Sequence, residues 1–175
     1  MAETHTLDRP PTGGVSVHQS LVRLVRADIT AFEVEAIVFY ARPDLALGSG
    51  FGSAIARRGG GAIKQALDAI GQVAVTEAVV TTGGTLKAGR IVHAVGPAFQ
   101  EPDLEKKLRQ TVINALKRAD AEQIRQIALP AMGAGFYGIP LAKCAEILVA
   151  AVKAYLSGDT GLREVIFCAN DTREY

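Results

Sequence analysis

Two glycine-rich segments stand where an anion could be held. Gly48-Ser49-Gly50-Phe51-Gly52 comes after the apolar run Ala36-Ile37-Val38-Phe39-Tyr40, and Gly133-Ala134-Gly135-Phe136-Tyr137-Gly138 comes directly after Gln126 to Met132. Each leads into a stretch with helical periodicity. Glycines let backbone N–H groups approach phosphate oxygens closely, and a helix N-terminus adds unpaired donors and partial positive charge. One such loop alone reads more readily as a tight turn; two at strand ends suit the two groups of a diphosphate. The second loop formally fits G-x-G-x-x-G between a strand and a helix. A dinucleotide fingerprint also requires an acid about 20 residues on, at the end of the next strand. Here the next strand ends later, near Asn170-Asp171, and the loop carries two bulky aromatics, so a dehydrogenase reading is poor. Phe136 and Tyr137 either wall a ribose or anchor the loop to the core.

A third strand end supplies an acid. Leu21-Val22-Arg23-Leu24-Val25 runs into Asp28, and Thr30 and Glu33 have the T-x-x-E spacing of a capping box. With Thr30 as the cap, Asp28 is either a turn residue or free to accept a hydrogen bond from the exocyclic amine of adenine. His93 lies mid-strand among apolar neighbours and reads as a core histidine. Cys144 and Cys168 fall on a helical stripe and a strand and read as small core residues. Arg57-Arg58, beside Gly59, reads as a solvated helix end rather than a phosphate clamp. The chain has no Ser/His/Asp set, no H-E-x-x-H and no CxxC, so neither a metal nor a cofactor is expected.

The elements that must position these residues alternate along the chain. Strands are expected at Leu21 to Val25, Ala36 to Tyr40, Glu77 to Thr81, Ile91 to Val95, Gln126 to Met132 and Val165 to Ala169. Helices are expected over Ser53 to Arg58 and Ala62 to Ile70. Two more follow the apolar stripes Leu104, Leu108, Val112, Ala115, Leu116, Ala119 and Leu141, Ala145, Leu148, Val152, Tyr155. Alternating elements with doubly apolar strands imply an α/β sandwich, whose ligands sit outside the carboxyl ends of the strands. Residues 1–14, with two prolines and two glycines, read as a flexible arm before one domain over 15–175. That length suits one domain, which usually spans roughly 100–200 residues.

Composition excludes several classes. Nineteen basic against eighteen acidic residues leave a net charge of +1, no footprint for nucleic acid. Two distant cysteines make no disulfide framework, and no apolar run approaches the roughly 20 residues of a membrane span. The opening MAETHTLDRPP is polar and acidic, unlike a signal peptide. A cytoplasmic protein is expected.

Taken together, these segments resemble the macrodomain family, the ADP-ribose-binding module, over Val15 to Asp171. Ala27-Asp28-Ile29-Thr30 is similar to the family's G-D-I-T, and Gly48-Ser49-Gly50 with Ala54-Ile55 to its G-G-G-V-x-x-A-I. Ile91-Val92-His93-Ala94-Val95-Gly96-Pro97 and Leu129 to Gly138 follow in the family's order. The resemblance implies a three-layer α/β/α sandwich with a mixed, mostly parallel central sheet. It implies that Asp28 binds the adenine amine with Ile29 beside it, and that the loop Gly48, Ser49, Gly50, Phe51, Gly52 holds the distal ribose and one phosphate. The loop Gly133, Ala134, Gly135, Phe136, Tyr137, Gly138 would cradle the diphosphate, with Phe136 near the distal ribose and Asn170 against the adenine.

Two departures bear on chemistry. The family's N-A-A-N is Phe39-Tyr40-Ala41-Arg42, so Arg42 replaces the asparagine that contacts the distal ribose. The aspartate of hydrolytic members matches Gly52. Arg42 is expected near the diphosphate or distal ribose, where it would strengthen anion binding or fill the pocket. The expected function is binding of ADP-ribose, free or attached to protein, by a monomer. The alternatives are hydrolysis of ADP-ribose adducts (ADP-ribosyl esters, O-acetyl-ADP-ribose or ADP-ribose-1''-phosphate) and binding of another nucleotide.

Overall fold

A computed structural model describes residues 13–134, 138–173 and 175. The strands are β1 (Val15–Val17), β2 (Ser20–Arg26), β3 (Ala36–Ala41), β4 (Ala78–Thr82), β5 (Arg90–Val95), β6 (Gln126–Leu129) and β7 (Glu164–Ala169). The helices are α1 (Phe51–Gly59), α2 (Gly61–Ile70), α3 (Leu104–Ala121) and α4 (Leu141–Leu156), with a 3-10 turn at Ile29–Ala31. The strands form one sheet in the order β1-β2-β7-β6-β3-β5-β4. The five central strands run parallel, and β1 and β4 close the edges antiparallel.

The two cores follow from the two-residue period of a strand. In β3, Ala36, Val38 and Tyr40 face α3 and α4, in a cluster with Leu108, Leu116, Leu148 and Val152. Ile37, Phe39 and Ala41 face the other way, with Ile55 of α1 and Ile63 and Leu67 of α2. All six β3 residues are buried, which is why that strand is a continuous apolar run. The architecture is the expected mixed, mostly parallel sheet between helical layers.

The differences are local. β6 stops at Leu129 rather than Met132, because Pro130 has no N–H with which to extend the ladder. Helix α1 starts two residues before Ser53. β1 was not expected; it pairs Val15 with Val22, and of the expected arm only Gly13 and Gly14 fall among the described residues, residues 1–12 lying outside them. Among the described residues no helix is long and apolar enough to cross a membrane.

Candidate functional site

Parallel strands share one carboxyl edge, and the chain leaves β2, β6 and β7 there into a cleft of about 490 Å³. Asp28 and Ile29 enter it after β2, Pro130 and Ala131 after β6, and Cys168 and Asn170 from the end of β7. Gly50, Phe51 and Ala54 close it from the start of α1. Residues distant in sequence, and expected to act together, are thus neighbours. A larger apolar groove of about 630 Å³ lies against α4 and shares Pro130, Ala131 and Cys168 as a wall; its charged lining residue, Arg173, is ion-paired with Asp171. The smaller cleft, with a carboxylate and a helix N-terminus, is the one equipped to orient a polar ligand.

Asp28 is the cap of the 3-10 turn, which corrects the expectation that Thr30 caps and leaves Asp28 free. Its Oδ1 accepts from the Thr30 amide at 2.9 Å and from the Thr30 hydroxyl at 2.7 Å. Its Oδ2 accepts from Arg58 Nη1 at 2.8 Å, and the same nitrogen donates to Thr30 Oγ1 at 2.7 Å. Asp28, Thr30 and Arg58 therefore form a closed triangle. Burial pushes the Asp28 carboxyl up, but the Thr30 hydroxyl and amide and the Arg58 guanidinium together hold it below the usual carboxylate range. The carboxylate remains about half exposed, so it is ionised and reachable. Arg58 is the site residue that the sequence reading missed. It comes from the last turn of α1, 30 positions from its partner, and a basic pair at a helix end gives no sign of which strand it meets.

Helix α1 presents its N-terminus to the cleft. Its cap, Gly50, sits at φ +61° and offers no side chain, so the first amides of the helix carry no side-chain partner at this end. That leaves donors and a partial positive charge for an anion. Phe51, which forms part of the wall, is held edge-to-face against Phe39 with centroids 5.1 Å apart. Phe39 in turn abuts His93, which is buried and hydrogen-bonded through Nε2 to Thr81 Oγ1 at 2.8 Å. Burial lowers the His93 imidazole to about 4, so it is neutral in the core. Gly48 and Ser49 are exposed on the loop ahead of α1 and do not line the cleft.

The two departures have structural settings. Arg42 lies outside the cleft in a surface turn, with Nη2 donating to Asp44 Oδ2 at 2.8 Å and its side chain 60% exposed. The turn is closed by Leu45 N to Arg42 O and by an Asp44 Oδ1 bond to Ala46 N. Arg42 was expected near the diphosphate or distal ribose; in the structure its guanidinium is paired with Asp44 in this turn. Gly52 is buried, and a Cβ there would overlap the Leu47 carbonyl oxygen and lie 2.5 Å from the carbonyl carbon. The position that the resemblance matched to the family's aspartate therefore has backbone where a side chain would start.

Of the second loop, Gly133 is buried at φ +85°, with Leu108 Cδ2 2.9 Å from where a Cβ would stand. Ala134 bridges to Ile139. Neither is among the residues lining the cleft. Gly135, Phe136 and Tyr137 lie outside the described residues.

Comparisons with known proteins agree with this fold. A family model described as Macro domain matches residues 41–148. The chain is 37% identical over 154 residues to a Klebsiella pneumoniae protein named O-acetyl-ADP-ribose deacetylase, covering 85% of this chain and 88% of that one. The fold superposes on the Oceanobacillus iheyensis macrodomain with ADP at a TM-score of 0.87 and 25% identity, covering 93% and 90% of the two chains. It matches the Trypanosoma brucei macrodomain in complex with ADP-ribose at 0.81 and 25%, covering 88% and 66%. The chain belongs to the macro domain family.

Proposed function

We propose that this protein binds ADP-ribose, free or attached to a protein, in the cleft at the carboxyl ends of β2, β6 and β7. The carrying observation is that one cleft joins the ionised Asp28 carboxylate to the uncapped N-terminus of α1 at Gly50. Adenine lies at the Asp28, Ile29 and Asn170 end, its exocyclic amine donating to Asp28. The diphosphate lies over the first amides of α1. The distal ribose lies beyond the diphosphate and adds to the affinity. The ADP and ADP-ribose complexes of the two structural neighbours support a ligand of this class.

Calorimetric titration with ADP-ribose, ADP and AMP tests it. Micromolar binding of ADP-ribose, stronger than that of ADP and of AMP, is expected. Absence of binding for all three refutes the reading, and equal binding of ADP and ADP-ribose refutes the part that concerns the distal ribose.

One observation favours a second reading, hydrolysis of ADP-ribose adducts: the Klebsiella relative is named O-acetyl-ADP-ribose deacetylase. Gly52 weighs against it, because the position of the hydrolytic aspartate has neither a side chain nor room for one. Release of ADP-ribose from O-acetyl-ADP-ribose at a rate above the uncatalysed background separates the two.

A further inference from the structure

The Asp28 triangle has a consequence for which base the cleft accepts, and this inference rests on the proposed nucleotide reading. A carboxylate with both oxygens open is a bidentate acceptor. It suits guanine, whose N1–H and N2–H₂ lie side by side and take one oxygen each. Adenine presents a single exocyclic amine on that edge and needs only one acceptor. Asp28 is not open. The Thr30 amide and hydroxyl occupy both lone-pair positions of Oδ1, at 2.9 and 2.7 Å. Arg58 takes one position on Oδ2 at 2.8 Å. One acceptor position remains.

Arg58 also acts through Thr30. A hydroxyl can turn its hydrogen elsewhere, but Arg58 Nη1 donates to Thr30 Oγ1 at 2.7 Å. That contact makes Oγ1 an acceptor on the Arg58 side and directs its hydrogen to Asp28 Oδ1. The guanidinium thus takes one position on Oδ2 and keeps Oδ1 closed through the hydroxyl. Nothing in the local sequence around Asp28 requires this; it depends on an arginine placed by the last turn of α1.

We propose that Arg58 is a positioning residue that, with Thr30, reduces Asp28 to a single acceptor, and that this triangle makes the cleft select a 6-aminopurine nucleotide over a guanine nucleotide. The selection comes from occupying lone pairs, not from adding a contact to the base. Loss of Arg58 therefore opens the cleft to guanine.

The test is titration of ADP and GDP against the wild-type protein, Arg58→Met, Thr30→Val and the double variant, with thermal unfolding of each. Met keeps the apolar stem of Arg58, and Val keeps the shape of Thr30. Wild type is expected to prefer ADP over GDP at least tenfold. That preference is expected to fall at least fivefold in Arg58→Met, and further in the double variant, with part of the change coming from tighter GDP binding. A purely structural role would lower the melting temperature and weaken both nucleotides together, leaving the ratio in place. An unchanged ratio in folded Arg58→Met overturns the inference, as does a wild type indifferent to the base. If Arg58→Met does not fold, Thr30→Val carries the same test, since it opens one position on Oδ1, the backbone amide keeping the other, while Arg58 stays, and an unchanged ratio there is equally fatal. If wild type binds neither nucleotide, the nucleotide reading itself has failed. ADP binding with an unmoved ratio leaves that reading standing and removes only the role of Arg58.

Discussion

Adding one methyl group at Gly52 tests whether backbone packing leaves room for a side chain there. A Cβ there would overlap the Leu47 carbonyl oxygen and stand 2.5 Å from its carbon, where ordinary contacts are 3.4–4 Å, so the loop ahead of α1 must retreat by well over ~1 Å. Forced overpacking costs roughly 1–3 kcal/mol, and a backbone obstacle belongs at the upper end. Alanine in a helix opposes this by up to about 1 kcal/mol relative to glycine. The clash wins by about 2 kcal/mol. For a chain of this length that lowers the melting temperature by about 4–8 °C. In Gly52→Asp the helix dipole returns about 0.3–1 kcal/mol, too little to reverse the sign. Thermal unfolding followed by circular dichroism measures both variants, and incubation with O-acetyl-ADP-ribose measures any turnover. Both variants are expected to melt below wild type, and Gly52→Asp is expected to gain no hydrolysis. A Gly52→Ala protein melting at or above the wild-type temperature would refute the argument, because helix propensity would then have outweighed a clash that does not exist.

Three further outcomes follow from the site and its surroundings. Asp28→Ala removes the adenine acceptor and should weaken ADP-ribose by about 1–3 kcal/mol, roughly 5- to 150-fold by calorimetry; an unchanged affinity would move the base elsewhere. Arg42→Ala should alter ADP-ribose affinity less than about threefold, since an exposed pair like Arg42–Asp44 contributes little; a tenfold loss would show that Arg42 leaves its turn for the ligand. His93 titrates near 6.5 when unfolded but near 4 in the fold, so its stabilising effect is complete above about pH 7 and is lost as pH falls between those values. The loss reaches about 2 kcal/mol at pH 5, measured by denaturant unfolding at pH 7 and 5. His93→Gln should remove that part of the pH dependence, and identical slopes in both proteins would contradict it.

The parallel centre of the sheet was legible because buried strands cannot hide their composition: β3 and β7 read as apolar runs with turn residues after them. β1 was not, since three residues carry too little periodicity to register. The cleft was legible as strand ends, which placed Asp28, Gly50, Phe51 and Asn170 in one neighbourhood. What could not be read was competition between side chains. Thr30 and Glu33 match a capping box by spacing, yet the shorter Asp28 reaches the Thr30 amide and hydroxyl first. Arg42 reads as a free cation, and its pairing with Asp44, two positions on, was not read from the sequence. Gly52 was visible as a departure, but its reason, the Leu47 carbonyl, lies in a loop whose path no local pattern dictates.

The sheet order sets β2 against β7, so the floor of the base end joins the first long strand to the last: Cys168 Sγ donates to the Ala27 carbonyl across 141 residues. During synthesis on a ribosome, Asp28 emerges early and must wait for almost every other element before it has a pocket to face. Such distant pairing forms late, after shorter loops have closed. A chain stalled before β7 could have α1, α2 and the Asp28 turn and still lack the Cys168 and Asn170 side of the cleft. Ligand binding in a nascent-chain experiment should accordingly switch on only when Glu164–Ala169 has cleared the exit tunnel, which makes nucleotide affinity a clock for completion of the sheet.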